Sequence, residues 1–213
     1  MRRAWLDKFR QQVVEKPDIA KAGEILTSVV GGESLSRLRK AQCIAGAVAQ
    51  LGRCADKAVV AAVLQGCACE FSQSRIAAIK QLYSDSSDLA DFWMRLRESN
   101  LMGESFEVRD GWVVMVKNPY RPDLKAHHPG DPFAWYCHCG SIVKPLHGNI
   151  SPAICHCGAG FYRPLFVSLF GAPVQIEVRE SLVKGDARCV FAVKVLLSEG
   201  AARDGPEREH ARD

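Results

Sequence analysis

The sequence predicts an α+β protein: an N-terminal helical region, then a thiolate-metal region with an antiparallel sheet and a packed helix. Three observations carry this. Apolar residues recur at helical spacing as far as residue 104, and the period drops to two on either side of Asp110-Gly111. Between the strand signals, the segment 136–170 writes Cys-His-Cys-Gly twice, at 137–140 and 155–158. The expected organisation is a helical region over 1–104, an α/β region that binds metal and ligand over 105–198, and a disordered tail over 199–213.

The first helix follows from Trp5, Leu6, Phe9 and Val13, and Pro17-Asp18 ends it. Asp18 can cap a second helix through Ile19, Ile25, Leu26 and Val29, closed by Gly31-Gly32. A third, capped near Ser34, sets Leu35, Leu38, Ile44, Ala45, Val48 and Leu51 on one side, with Cys43 as packing. The Ala- and Val-rich run 55–64 gives a fourth helix that Gly66 stops. Two more are expected over 74–83 and 87–98, the latter with Leu89, Phe92, Trp93 and Leu96 as a buried stripe.

Strands 105–109 and 112–116 flank Asp110-Gly111, a strong hairpin signal. Residues 118–132 hold four prolines and the pair His127-His128, and read as a long loop. After the thiol motif, a helix over 160–170 carries Phe161, Leu165, Phe166 and Leu169, with Pro164 in its first turn and Gly171 as its stop. Val174, Ile176 and Val178 mark a strand. Lys184-Gly185-Asp186 turns the chain into a last strand in which Cys189, Phe191, Val193 and Val195 share a face.

The chemistry concentrates in the doubled motif. In an extended segment Cys137 and Cys139 share one face, as do Cys155 and Cys157, so two such segments side by side present four sulfurs to one point. Four thiolates suit zinc or an iron–sulfur cluster and not magnesium or calcium. The single intervening residue is tighter than the usual zinc-knuckle spacing. Disulfide chemistry between the pairs and plain packing are the alternatives. Alternation sends His138 and His156 away from the sulfurs, as supports or gates and not ligands. Cys189 can reach the thiolate site from the sheet. Cys67 and Cys69 form a third Cys-x-Cys at a helix end, which lines an interface or supplies a further ligand or reactive thiol.

A net charge of +4 spread along the chain argues against nucleic acid as the main partner. Arg2-Arg3 is followed by charged residues before an apolar run of signal length can form, and no segment has the length of a membrane span. A cytoplasmic location is expected, where thiols stay reduced and nine cysteines read as ligands or reactive groups.

The run PVQIEVRESLVKGDARCVFAV, preceded by Cys-x-Cys-Gly-x-Gly-Phe and an aromatic helix, resembles the C-terminal half of 4-vinyl-reductase-type ligand-binding domains. Those domains are the sensor part of aromatic-responsive transcription activators. The stretch is also similar to the small bacterial L-2-amino-thiazoline-4-carboxylate hydrolases. The resemblance covers about a third of the chain, with Gly185-Asp186-x-x-Cys189-x-Phe191 its most specific part. It implies an α+β fold with a thiolate-held zinc beside a pocket for a small organic ligand, and carries over Cys189 as a ligand. The sequence departs at Ser181, where a ligand cysteine would be expected. No phosphate-binding loop or DNA-reading helix follows.

The expected function is that of a zinc-thiolate protein that binds or senses a small organic molecule, in a pocket lined by Phe161, Phe166, Trp135 or Tyr136, and it admits a homodimer. The expected metal ligands are Cys137, Cys139, Cys155, Cys157 and Cys189. One alternative is a hydrolase of a small heterocyclic or thio-compound, with Glu177, Glu180 or a histidine as base, or Cys67 or Cys69 as nucleophile. The other is an iron–sulfur redox protein.

Overall fold

The computed structural model describes residues 5–16, 22–27 and 35–196. Asp18, Gly31-Gly32, Ser34 and the expected tail lie outside them. Helix α1 (Trp5–Val14) buries Leu6, Phe9 and Val13, and α2 (Ala22–Thr27) buries Ile25. Helix α3 (Arg37–Cys54) is capped by Ser36, whose hydroxyl accepts from the Arg39 amide, and buries Ala41, Ile44, Ala47, Val48 and Leu51. Leu38 falls off that stripe at about 3.6 residues per turn and is exposed. Asp56, Ser72 and Asp88 cap α4 (Lys57–Gly66), α5 (Gln73–Ser84) and α6 (Leu89–Glu98) in the same way. In α6, Phe92, Trp93 and Leu96 are buried while Leu89, in its first turn, is exposed.

Four strands form one antiparallel sheet in the order β1-β2-β4-β3: β1 (Ser105–Arg109), β2 (Trp112–Val116), β3 (Val174–Glu180) and β4 (Val190–Val195). Both hairpin residues take positive φ, Asp110 at 52° and Gly111 at 75°, the twist that a two-residue turn between antiparallel strands requires. Alternation sends Val113, Met115, Ile176, Phe191 and Val193 to one face, where they pack in one cluster with residues of α5, α6 and α9.

Between β2 and β3 run α7 (Pro132–Trp135), α8 (Cys155–Gly160) and α9 (Arg163–Phe170). The helix expected over 160–170 is α9, which starts at Arg163 with Pro164 in its first turn, and a separate helix, α8, takes the segment 155–160 that was expected to be extended. Gly171, at φ 62°, closes α9 as expected.

The described residues pack into two apolar clusters. One joins α1–α4 to Tyr136, Cys137, Val143, Ile154, Cys155, Cys157 and Leu182. The other joins α5, α6 and α9 to the sheet. Each draws residues from both sides of position 105. Among the described residues, no helix is long and apolar enough to cross a membrane.

Helices α4 and α8 meet backbone to backbone. A Cβ on Gly160 would stand 2.2 Å from the Gln65 carbonyl oxygen and 2.6 Å from its Cα, so neither side can yield by turning a side chain. Gln65 is itself buried: its side-chain nitrogen donates to the Ile176 carbonyl at 3.4 Å, and its side-chain oxygen accepts from the Arg163 guanidinium. We expect Gly160→Ala to lose about 1–3 kcal/mol of stability or more, as overpacking does. Urea unfolding beside a Gly130→Ala control, where a Cβ meets open space, checks this. Equal midpoints for the two variants would show the contact to be soft.

Candidate functional site

A cavity of about 40 Å³ is lined by four of the nine cysteines, Cys137, Cys139, Cys155 and Cys189. They come from three separate places in the chain. Cys137 and Cys139 lie in the turn after α7, where the Val143 amide bonds back to the Cys139 carbonyl at 2.9 Å. Cys155 opens α8, and Cys189 immediately precedes β4. The rest of the wall is Lys117, His138, Val143, Gly158, Leu182, Val183 and Phe191, nearly all apolar surface.

Tyr136 fastens the cysteine turn to the sheet. Its hydroxyl donates to the Lys117 carbonyl at 2.5 Å and accepts from the Cys189 amide at 3.3 Å. Lys117 and Cys189 are joined in turn by a 3.0 Å backbone bond. The long loop is laced alongside, with Tyr120 and Arg121 amides bonded to the Tyr136 and Trp135 carbonyls.

Cys157 does not join the other four. The segment expected to be extended is helical, and two residues along a helix turn the side chain by more than half a circle, so Cys155 and Cys157 face opposite ways. Cys157 looks toward the N-terminal helices, where Trp5 Nε1 donates to its sulfur at 3.4 Å and the thiol donates to the Cys67 carbonyl at 3.4 Å. Cys67 is buried with its thiol on the Val63 carbonyl at 3.2 Å, while Cys69 is exposed. Cys67 belongs to the packing between the N-terminal helices and α8, and Cys69 does not.

The cavity sulfurs differ electrostatically. Cys137 accepts from the Cys139 thiol and backbone amide, which hold it below its ordinary value against the cost of burial, and Lys144 adds to this. Cys139 is correspondingly driven well above. Burial raises Cys155, offset in part by a hydrogen bond from Ser181 and by Lys184. Burial pushes Cys189 up to about 12, offset by the Leu182 amide and Lys117. Three of the four sulfurs thus have a hydrogen-bond donor and a lysine. Ser181 is fully buried, and its amide is held by the Asp186 carboxylate at 2.7 Å.

The histidines take other roles. His138 Nε2 is bonded to the Asn118 carbonyl at 2.7 Å, and His127 and His128 are exposed. His156 Nδ1 and Trp135 Nε1 are buried atoms with no hydrogen-bond partner among the described residues. Tyr136 and Phe166 are core residues, and Phe161 packs its ring on Phe71. Among the described residues, no group of three or more His, Cys, Asp or Glu side chains is arranged to hold a metal ion as it stands. In this arrangement the sulfurs are engaged with the donors just named.

A far larger concavity, about 700 Å³, lies on the opposite face of the sheet, around Trp112, Arg109, Arg179, Glu180 and Arg188. It is an open trough whose arginines are each paired with a carboxylate: Arg109 with Asp110, Arg179 with Glu177, Arg188 with Glu180. Size alone favours it, but the thiol cavity concentrates the chemistry. Glu177 and Glu180 belong to this outer face and not to the thiols.

Sequence reasoning missed Lys117, Val143 and Leu182 as cavity walls and Ser181 as a partner of Cys155. Ser181 had a signal, as the residue standing in place of an expected cysteine. Lys117 and Leu182 had none, since each reaches the cavity only through long-range packing, and Val143 is brought in by the turn that starts at Cys139. No protein-family model, curated protein or solved structure matches the chain.

The raised thiols fix a pH dependence. Burial pushes Cys157 up to about 11 and Cys189 to about 12 from an ordinary 9.0. Above pH 9 the unfolded chain sheds protons that the folded chain keeps, so stability is full below pH 9 and falls as pH rises toward the folded values. Urea midpoints of reduced, metal-free protein should decline from pH 8 to 10.5, less steeply in Cys157→Ser. A flat profile would contradict this assignment.

Proposed function

We propose that this protein is a zinc-thiolate protein that holds one ion in the cavity of Cys137, Cys139, Cys155 and Cys189. The observation that carries the reading is that four thiols from three distant segments line a single apolar cavity of about 40 Å³. A void of that size admits an ion or a water or two, and is far below the roughly 300 Å³ at which pockets for organic ligands begin. Thiolate donors select thiophilic ions. To coordinate one, the sulfurs turn from their present partners toward the cavity centre, and each thiol that is still protonated releases its proton to solvent. Amide, hydroxyl and lysine groups around three of the sulfurs favour the thiolate form that binding requires.

Four protein ligands make a closed site, which suits a structural or sensing role better than catalysis. Closing on an ion ties the cysteine turn, α8 and the start of β4 into one unit. If the protein senses, the ligand sensed at the thiols is the ion itself. A hydrolytic role is less well supported, because Glu177 and Glu180 face away from the thiols and burial drives Cys67 far above the ordinary thiol range.

The test is metal analysis of protein purified under anaerobic, reducing conditions, followed by zinc titration. One zinc per chain is expected, with a higher melting temperature on loading. Cys189→Ser and Cys155→Ser should lose it, and Cys157→Ser should keep it. Retention by Cys189→Ser with loss by Cys157→Ser would favour the set drawn from the doubled motif alone. Iron with matching sulfide would replace zinc by a cluster.

A further inference from the structure

Lys117 and Glu104 form a buried ion pair at the edge of the thiol cavity, Nζ to Oε1 2.5 Å, with side chains 11% and 8% exposed. The Tyr162 hydroxyl, on a residue with no exposed surface, donates to the other Glu104 oxygen. The ammonium also lies over the rings of Phe161 and Tyr162, at 4.8 and 4.9 Å. Each group is therefore satisfied. Burying two charges costs desolvation that a hydrophobic pair would avoid, so a pair kept here asks for a reason.

The cavity supplies one. Lys117 is part of its wall and Glu104 is not, so the cationic residue of the pair borders the cavity, and its charge acts on the Cys189 thiol. Lys117 is also bonded through its backbone amide to the Cys189 carbonyl, which sets the two residues side by side. Four thiolates around a divalent ion leave a net charge of about −2 in an apolar enclosure, which water cannot screen. Lys184 is exposed and Lys144 half-buried, and their ammonium groups are held by the Val178 and Ala134 carbonyls.

We propose that the buried Lys117–Glu104–Tyr162 cluster is the charge-compensating support of the metal-thiolate site, with Lys117 as the positioning residue that sets its affinity for a divalent thiophilic ion. This rests on the metal reading above. Glu104 and Tyr162 hold the ammonium in place and moderate its field, so the two members of the ion pair act on affinity with opposite sign. A purely structural ion pair would give the same sign for both, since breaking it from either side loosens the same packing.

The test is competition titration of zinc against a chromophoric chelator, using the full chain under anaerobic conditions, on wild type, Lys117→Met, Lys117→Arg and Glu104→Gln. Lys117→Met should weaken zinc binding by roughly 10- to 100-fold, the usual scale for losing a group that supports metal ligands. Lys117→Arg should retain most of the affinity, and Glu104→Gln should bind more tightly than wild type. Cobalt in place of zinc gives a second readout: thiolate-to-cobalt bands of wild-type shape would show that the ligand set is unchanged while affinity shifts. If Lys117→Met does not fold, Glu104→Gln decides alone, with tighter binding in support and unchanged or weaker binding against. Equal weakening by Lys117→Met and Glu104→Gln would overturn the proposal and leave the pair as packing. A wild-type chain that takes up neither zinc nor cobalt would overturn the metal reading, and this inference with it.

Discussion

The contact on which the site depends is the meeting of α4 and α8 at Gln65 and Gly160. A glycine at 160 lets two backbones touch where any side chain would collide. Gln65, held in the interior, then bonds to the Ile176 carbonyl of β3 and to Arg163 at the start of α9. One end of α4 is thereby locked to a helix, to the following helix and to the sheet. With α8 fixed at that crossing, its rotation is no longer free. Cys155 faces the cavity, and Cys157 faces Trp5 and Cys67 on the other side.

The cavity is a compromise between two costs. Burial favours the neutral thiol and raises Cys139, Cys155 and Cys189, so the isolated pocket resists charge. Donors built into the wall act against that. The Cys139 amide supports Cys137, the Ser181 hydroxyl supports Cys155 and the Leu182 amide supports Cys189, each with a lysine within electrostatic reach. The donors come from the cysteine turn itself and from the bend between β3 and β4, where Asp186 holds the Ser181 amide. That bend is consequently part of the site and not a simple connection. Tyr136 binds the two parts together by bridging Lys117 and the Cys189 amide.

Much of the fold was legible in the sequence. Apolar spacing gave the stripes Phe9 and Val13, Ile44, Val48 and Leu51, and Phe92, Trp93 and Leu96, all of which are buried. The Asp110-Gly111 hairpin, the Gly171 stop and the inward face of β4 also stand as expected, because each depends on neighbours a few residues away. Cys189 was readable as a residue that could reach the thiols, since strand parity fixes its side. The concentration of cysteines at 137–157 was visible in composition alone.

What the tertiary structure decided is which sulfurs meet. A Cys-His-Cys-Gly run has no strong conformational preference of its own, so it can be extended or helical, and the two copies differ: the first is a turn, the second a helix packed on α4. That difference removes Cys157 from the cavity and leaves its place to Cys189. Lys117, Glu104 and Tyr162 were equally invisible, because a buried ion pair and its hydroxyl partner look in sequence like any surface polar residues, and Ser181 showed only as a departure from an expected cysteine. Local periodicity determined the elements. The identity of the four converging thiols was set by long-range packing around a single glycine contact, and no pattern shorter than the whole chain encodes it.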